Sequence, residues 1–373
     1  MHSLSDNFRI EGYTKSRNNT IFGLQSWVNC DDWRNSVQEQ AFLQDLIQYC
    51  KSHQSDIKIS NITFKGRITP DVPYALQMNG QLYQLKDTPS KKLIIFVHGF
   101  RMRQNHFTTI IPIQMLIKAF PNGEYDFLTV EYRNHGDSER EQLSWLTEKS
   151  YSTYGSLEYA DVLGAIDYVK QHYGYEKIGL YGASMGGATI LNVLLKSNPE
   201  DGIRALFMDS PACDIEMTLQ SNLYRVLGYA LGHVEELDLN SLRMKAAKYV
   251  FWPSVMLMGK ILKPTHSHGG YAPFLNDPYL SLKQAAKVNN RSEPVALHFD
   301  HPTSDILVPM ENSVRCSAVA SQMSNFKVTT YYGPIESKQP RRTFTECKNH
   351  CVFVLSEPEK VNNRLVNFFK ENL

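Results

Sequence analysis

The sequence predicts an α/β fold, in which helices cover both faces of a mostly parallel β-sheet. Two observations support this fold class. From Lys91 onward, short apolar runs alternate with amphipathic segments, as strands and helices alternate along such a chain. The strand-like runs are also apolar at successive positions, which is typical of strands that are buried on both faces.

One stretch joins a strand, a sharp turn and a buried helix without interruption, and the rest of the chain is organised around it. It is KIGLYGASMGGATILNVLL, residues 177–195, with Ser184 at the turn. Gly182 and Gly186 lie two residues before and two residues after this serine. A serine that projects from such a turn crowds the adjacent backbone, and glycines at these two positions relieve the crowding. In this setting the motif predicts a nucleophile, whereas the five residues alone would also fit an ordinary loop.

The bulk composition argues against several classes of protein. Among 373 residues, 39 Lys and Arg nearly balance 38 Asp and Glu, so no overall charge favours nucleic acid or an anionic surface. The first residues lack the basic and apolar regions of a signal peptide. The most apolar long stretch, Tyr249–Leu262, is interrupted by Pro253 and Lys260. We therefore expect a cytoplasmic protein that has no transmembrane segment and binds no nucleic acid.

The cysteines indicate neither a disulfide framework nor a metal centre. All six are scattered along the chain, which is typical of reduced thiols. Cys347, His350 and Cys351 have a spacing that suggests metal ligands, but no second cluster supplies the remaining ones. We expect no metal and no organic cofactor.

The chain before Lys91 divides into two parts. Residues 1–57 are predicted to form an N-terminal extension, with a helix over about 36–51 where apolar residues recur at helical spacing. Lys58–Ile68 is predicted to be the first strand. Two further strands are expected to pair as a hairpin, because Asn79-Gly80 suits a two-residue turn. These strands are Tyr74–Met78 and Gln81–Leu85.

The α/β core is predicted to span residues 58–209 and 294–373. Its later strands are Leu93–Val97, Asp126–Glu131, the strand that starts at Lys177, Arg204–Asp209, Pro294–Asp300 and Lys327–Tyr332. Its helices are Asn105–Ala119, Ser156–Tyr173, the helix after Ser184, Glu311–Ser324 and a last helix at the C-terminal end. Ser356 and Glu359 predict a capping box at the start of that last helix.

Residues 210–293 are predicted to form an inserted helical cap. An alternating fold needs only a short connection at this point, whereas about eighty residues with helical apolar spacing intervene. Within them, Tyr249–Leu262 is rich in aromatic residues and methionine. The simplest interpretation is the inner face of the cap. A wall of a lipophilic substrate pocket and a membrane-touching surface are the alternatives, and membrane contact is not part of the prediction.

A nucleophilic serine requires a base and a carboxylate to orient that base. In this architecture the acid is expected after the serine in the chain, and the histidine after the acid. Asp305 follows a predicted strand, and His350 lies between the final strand and the final helix. Asp300 and Asp209 remain rival acids, because both end strands near the same edge.

These motifs together resemble the α/β-hydrolase superfamily of serine hydrolases. The resemblance covers roughly residues 93–373 and depends on several short segments. They are His98-Gly99, the segment Arg133 to Ser138, Gly182 to Gly186, Asp305 three residues before Val308-Pro309, and His350 before Glu357-Pro358 and an amphipathic helix. The resemblance implies that the backbone N–H groups of Phe100 and Met185 form an oxyanion hole, and that Asp305 orients His350, which activates Ser184.

The chain departs from the family pattern at two places. His301-Pro302 stands where the family usually has His-Gly before the acid, and the connection from the last strand to His350 is long. His98 is expected to orient the oxyanion loop, whereas His135 and His301 are expected to make surface hydrogen bonds.

The function predicted from these residues is hydrolysis of a carboxylic ester, with a small acyl ester as substrate. A thioester or a lipid ester fits the same chemistry. A serine peptidase of the same fold and a non-catalytic binding protein are the alternatives, because this architecture carries many activities.

Overall fold

A computed structural model describes residues 57–85, 90–100, 102–104, 106–140, 152–219, 221, 276–285, 294–305, 307–335 and 349–373. Within these residues, eight strands form one sheet in the order β1-β2-β4-β3-β5-β6-β7-β8. The strands are β1 (Lys58–Lys65), β2 (Gln77–Gln84), β3 (Lys92–Val97), β4 (Asp126–Glu131), β5 (Lys177–Ala183), β6 (Ile203–Asp209), β7 (Val295–Pro302) and β8 (Phe326–Gly333). β2 is antiparallel to both of its neighbours, and the pairs from β4 to β8 are parallel. The predicted mostly parallel sheet is confirmed.

Helices cover both faces of this sheet, as predicted. They are α1 (Phe107–Ala119), α2 (Tyr159–Tyr173), α3 (Met185–Lys196), α4 (Pro278–Ala285), α5 (Glu311–Ala320), the short α6 (Phe353–Ser356) and α7 (Pro358–Asn372). Residues of α2 to α5 belong to the apolar core on one face, and residues of α1, α6 and α7 belong to the core on the other.

The strand β3 illustrates why the central runs are apolar at successive positions. Leu93, Ile95 and Val97 pack in the core on one face, whereas Ile94 and Phe96 pack in the core on the other. Side chains of a strand alternate between faces, so a strand with helices on both sides buries all of them. Truncating any one to alanine would cost about 2–5 kcal/mol, the usual range for a buried aliphatic or aromatic side chain.

The predicted hairpin across Asn79-Gly80 is wrong. Both residues lie inside β2, which runs unbroken and pairs with β1 on one side and β4 on the other. Gly80 is accommodated for a different reason, because a Cβ atom there would lie 2.7 Å from the carbonyl oxygen of Thr129 on β4. Glycine at this position therefore allows two strands to approach each other closely, and the chain does not turn here.

The predicted starts of two helices also differ from the structure. α2 begins at Tyr159 and not at Ser156, after residues that form turns. α7 begins at Pro358, which suits the first helical position because proline lacks the N–H that would be unpaired there. Ser356 ends α6, and its buried hydroxyl has no hydrogen-bond partner among the described residues, so the predicted capping box is wrong.

The N-terminal extension and the cap remain predictions. The predicted helix over 36–51 and the apolar stretch Tyr249–Leu262 lie outside the described residues. Of residues 210–293, the structure describes 210–219, 221 and 276–285, and the last of these form α4, which packs against α3 and α5. No helix in the described ranges is both long enough and apolar enough to cross a bilayer.

Candidate active site

Ser184 lies at the sharp turn between β5 and α3. Its backbone has φ 57° and ψ −119°, a combination that is sparsely populated for a residue with a side chain. A Cβ atom at Gly182 would lie 2.4 Å from the Gly186 carbonyl oxygen, and one at Gly186 would lie 2.2 Å from the Val97 carbonyl oxygen. The two glycines flanking the serine are therefore required by packing. The Ser184 N–H donates to the carbonyl of Asp209, 2.7 Å away, which fixes the turn to the end of β6.

His350 and Asp305, which are distant in the chain, are in direct contact. Nδ1 of His350 lies 2.7 Å from Oδ2 of Asp305, and both residues are buried. Asn349 strengthens this contact between loops, because its side-chain amide donates to the Ser304 hydroxyl at 2.9 Å. The histidine is thus held with one ring nitrogen on a carboxylate, as a general base requires.

Asp305 receives more donors than His350 alone. The backbone N–H groups of Leu307 and Val308 donate to its Oδ1 at 2.9 Å and 3.0 Å. Nε2 of His301 lies 3.3 Å from its Oδ2. Burial by itself would raise the pKa of Asp305, but His350 and His301 outweigh burial and lower it below its ordinary value. The group is therefore a carboxylate at neutral pH.

The thiol of Cys351 connects the histidine to the serine turn. Its Sγ lies 3.5 Å from Nε2 of His350 and donates to the Asp209 carbonyl at 3.7 Å. That carbonyl also accepts the N–H of Ser184. Burial, followed by the charges of Asp209 and Asp305, raises the pKa of Cys351 well above its ordinary value, so the thiol is neutral. These contacts bring the ring of His350 and the backbone of Ser184 together at the end of β6.

The two rival acids have other partners. Asp300 forms an ion pair with Arg364 of α7, with 2.9 Å between Oδ2 and Nη2. Asp209 accepts hydrogen bonds from the Ser210 hydroxyl at 3.0 Å and the Tyr181 hydroxyl at 3.3 Å. The hydrogen bond between His350 and Asp305 therefore favours Asp305 as the acid.

Phe100 and Met185, the predicted oxyanion residues, belong to two chain segments that approach Ser184. Met185 is the first residue of α3, where backbone N–H groups are unpaired within the helix and the helix dipole favours negative charge. Phe100 follows Gly99 after β3, and a Cβ atom at Gly99 would lie 3.3 Å from the Cβ atom of Ser184. The loop that carries Phe100 thus runs beside the serine. The role of the two N–H groups stays a prediction.

The histidines expected at the surface are buried instead. The rings of His135 and Tyr132 meet edge to face, and Nδ1 of His135 lies 2.8 Å from the Arg133 carbonyl oxygen. His301 is fully buried, with Nδ1 2.7 Å from the Ser313 hydroxyl and Nε2 2.9 Å from the Val308 carbonyl oxygen and 3.3 Å from Oδ2 of Asp305. The prediction of surface hydrogen bonds is therefore wrong for both. His301 was missed because it was assigned to a loop, whereas β7 extends through Pro302 and holds it inside.

His98 is fully buried beside these residues. Its pKa lies well below the ordinary value because burial, and then the neighbouring His135, disfavour the charged ring. The hydroxyl of Tyr132 donates to its backbone carbonyl. A neutral ring in this position suits the predicted role of supporting the loop at Gly99. Among the described residues, no cluster of acidic, histidine and cysteine side chains could hold a metal ion.

Comparisons with known proteins agree with the overall fold. Residues 92–287 match the model of a family described by the α/β-hydrolase fold. A curated protein of Haemophilus influenzae, provisionally named an esterase/lipase, is 28% identical over 117 residues. These are 31% of this chain and 33% of that protein, so the chain aligns with about a third of the relative's length.

Two kinds of solved structure illustrate the similarity of fold. An esterase of Pyrococcus furiosus superposes with a TM-score of 0.54 at 16% sequence identity, covering 87% of this chain and 94% of that chain. A peroxisomal α/β-hydrolase of Saccharomyces cerevisiae gives a TM-score of 0.50 at 14% identity, covering 85% of this chain and 90% of that chain. At such identities the likeness shows a common fold.

Proposed function

Because the chain belongs to the α/β-hydrolase family, we propose that it is a serine hydrolase that cleaves a carboxylic ester through an acyl-serine intermediate. The observation that carries the proposal is the 2.7 Å contact between His350 and Asp305. The Cys351 thiol links this pair to the Asp209 carbonyl, which also holds the strained turn of Ser184. The names of the Haemophilus influenzae and Pyrococcus furiosus proteins support an ester as the bond that is cleaved.

In the first half of the reaction, Asp305 holds the proton of His350 on Nδ1, so that the lone pair of Nε2 can accept another proton. Nε2 takes the hydroxyl proton of Ser184 as Oγ attacks the carbonyl carbon of the ester. The carbonyl oxygen becomes an oxyanion, which the N–H groups of Phe100 and Met185 stabilise. These donors are fixed before the charge develops, so the transition state gains more from them than the bound substrate does.

In the second half, the tetrahedral intermediate collapses. The bond to the alcohol oxygen breaks, and the alcohol leaves with the proton from His350. Water then attacks the acyl-Ser184 carbonyl while Nε2 of His350 takes a proton from it. The second intermediate releases the carboxylic acid, and the proton returns to Ser184. A thioester reacts by the same steps with a thiol as the leaving group, and a lipid ester with a longer acyl chain.

The test combines a covalent probe with a panel of substrates. A fluorophosphonate should label the wild type at Ser184, and p-nitrophenyl esters from acetyl to dodecanoyl should be hydrolysed. Ser184→Ala should abolish labelling and lower turnover by about 10⁴- to 10⁶-fold, because the members of a triad act as a unit. Ser317→Ala is a matched control, since this serine of α5 forms a hydrogen bond with Tyr332 of β8. The variant should leave both readouts unchanged.

Other outcomes would redirect the proposal. Cleavage of peptide amides without cleavage of esters would indicate a peptidase. A folded wild type that the probe does not label would indicate a binding protein that retains the fold. Strong preference for long acyl esters would support Tyr249–Leu262 as the wall of a lipophilic pocket.

A further inference from the structure

A buried carboxylate outside the proposed triad holds the short segment that precedes α2. Glu158 is fully buried. Its Oε1 accepts the Ser152 hydroxyl at 3.1 Å and the Thr153 N–H at 2.7 Å. Its Oε2 accepts the Thr153 hydroxyl, the Gly155 N–H at 2.9 Å and the Leu157 N–H at 3.4 Å. Several donors from six consecutive residues thus converge on one side chain.

The segment held in this way, residues 152–155, has an unfavourable backbone of its own. Tyr154 has φ 53° and Gly155 has φ 88°, two successive residues in the left-handed region. For tyrosine such a conformation is unfavourable and persists only where neighbouring contacts impose it. Gly155 is also pressed against α3, because a Cβ atom there would lie 2.9 Å from the Thr189 nitrogen. Glu158 supplies the hydrogen bonds that impose this conformation.

The same segment contacts both proposed oxyanion residues. The Ser152 hydroxyl oxygen lies 3.0 Å from Sδ of Met185. The ring of Tyr154 stacks on the ring of Phe100, with 5.0 Å between centroids and 16° between planes. Met185 begins α3 and Phe100 follows β3, and residues 152–155 are a structural link between them.

We propose that Glu158 is a positioning residue for the oxyanion hole, and this rests on the proposed serine-hydrolase function. By fixing Ser152 and Tyr154 it fixes the side chains of Met185 and Phe100, and through them the direction of the two N–H groups. A buried carboxylate is costly to desolvate and is retained only where its hydrogen bonds are satisfied. The donors of residues 152–157 that converge on Glu158 provide that compensation.

The kinetic consequence differs from that of a general loss of stability. Oxyanion donors interact more strongly with the transition state than with the substrate, so misplacing them lowers kcat and leaves KM nearly unchanged. Glu158→Gln replaces one accepting oxygen with an NH₂ group that faces donors. A displacement of under 1 Å is enough to lower the rate by about 10- to 100-fold.

The experiment compares Glu158→Gln with a change at another buried carboxylate, which lies at the amino-terminal end of a strand. Asp126 begins β4 and accepts the Tyr175 hydroxyl at 2.7 Å and the Ser90 N–H at 3.0 Å, so Asp126→Asn is the control. The kcat value is expressed per serine titrated with fluorophosphonate, so that unfolded protein does not count. We expect kcat of Glu158→Gln to fall about 10- to 100-fold with KM within about threefold of wild type. Asp126→Asn should keep the wild-type kcat even if its Tm falls as much as that of Glu158→Gln.

Hydrogen exchange provides a readout that does not depend on activity. In Glu158→Gln, peptides covering residues 98–104 and 184–190 should exchange faster than in wild type, and in Asp126→Asn they should not. If Glu158→Gln does not fold, Ser152→Ala removes the hydroxyl that lies against Met185 and donates to Glu158, and it should lower kcat about tenfold.

Three results would overturn the proposal. They are an unchanged kcat per titrated serine in the folded Glu158→Gln protein, an equal loss of kcat in Asp126→Asn, or unchanged exchange in both peptides. A wild type that neither binds the probe nor cleaves any ester would refute the proposed function instead. In that case the exchange measurement alone decides whether Glu158 positions the two loops.

Discussion

Asp300 and Asp305 lie five residues apart near the end of β7, and both are almost completely buried, but their environments differ. Asp300 is inside the strand and faces Arg364 of α7. Asp305 follows the strand and contacts His350 and His301, together with two backbone N–H groups of its own loop. One carboxylate is paired with a cation, and the other is surrounded by hydrogen-bond donors.

The difference appears in the pKa values of the two groups. Burial raises the pKa of Asp300 to about 7, because it outweighs the attraction of Arg364 and the nearby Asp209 adds repulsion. For Asp305 burial acts in the same direction, but His350 and His301 prevail and the pKa is lowered. A residue in a loop can gather N–H donors that strand pairing would otherwise use. Position just beyond the strand, more than burial, therefore makes Asp305 the better acid for a triad.

The largest effect should come from neutralising each carboxylate in turn. Asp305→Asn should lower kcat about 10³- to 10⁴-fold, because His350 loses the group that fixes its tautomer and stabilises its charged form. Asp300→Asn should stay within about tenfold of wild type, since it breaks an ion pair that does not touch the proposed nucleophile. Turnover of p-nitrophenyl butyrate per titrated serine measures both.

A third variant completes this test. Asp209→Asn changes the remaining rival acid, and its loss should be far smaller than that of Asp305→Asn. If Asp305→Asn hydrolyses esters at the wild-type rate, the acid is Asp300 or Asp209, and the variant with the large loss identifies it.

The next largest effect is on how the free energy of unfolding depends on pH. It has opposite signs for Asp300 and Asp201, two buried aspartates that face arginines. The raised pKa of Asp300 means that the folded state binds its proton more tightly than the unfolded state does. Its contribution to the free energy of unfolding is therefore complete below about pH 4 and falls as pH rises to about 7. Three pH units at about 1.4 kcal/mol each limit the change to about 4 kcal/mol.

Urea denaturation of wild type and Asp300→Asn between pH 4 and 7 measures this contribution. The free energy of unfolding of wild type minus that of the variant should decline as pH rises. Asp201 is the control, because it is buried against Arg67, with 2.8 Å between oxygen and nitrogen. Burial would raise its pKa, but Arg67 and the Asn198 N–H lower it. The difference between wild type and Asp201→Asn should therefore be constant above about pH 5 and shrink only in more acidic solution. A constant difference for Asp300→Asn as well would contradict the raised pKa of Asp300.

Much of the fold could be predicted because its signals are local. The run Leu93 to Val97 is buried on both faces, and its wholly apolar sequence predicts this burial. Asn79-Gly80 failed for the opposite reason. Its local signal is that of a turn, whereas the glycine serves the close approach of β4, which comes about fifty residues later in the chain.

The candidate site also has parts that could be predicted from local signals and parts that could not. Ser184, Asp305 and His350 could each be placed after a strand, so their common edge was predictable. The partners of Asp305 and the proposed support of Phe100 and Met185 depend on contacts between residues that are distant in the chain. Glu158 was missed because a charged residue near a helix start usually faces solvent. The hydroxyls and glycine just before it, residues 152–156, were the available signal, since such a cluster of donors suits an acceptor side chain.

The smallest effect should come from His301, one of the contacts that distinguish Asp305 from Asp300. His301→Leu removes the ring whose Nε2 lies 3.3 Å from Oδ2 of Asp305 and 2.9 Å from the Val308 carbonyl oxygen of the same loop. It should lower kcat about tenfold without raising KM, because Asp305 is then less firmly held against His350. His301→Gln keeps an N–H donor and should restore most of the loss. His298→Leu is the matched control, since this buried histidine lies on the same strand but bonds to Thr329. If His301→Leu and His301→Gln lose kcat equally, or if the control loses as much as either, the contact to Asp305 does not contribute to turnover.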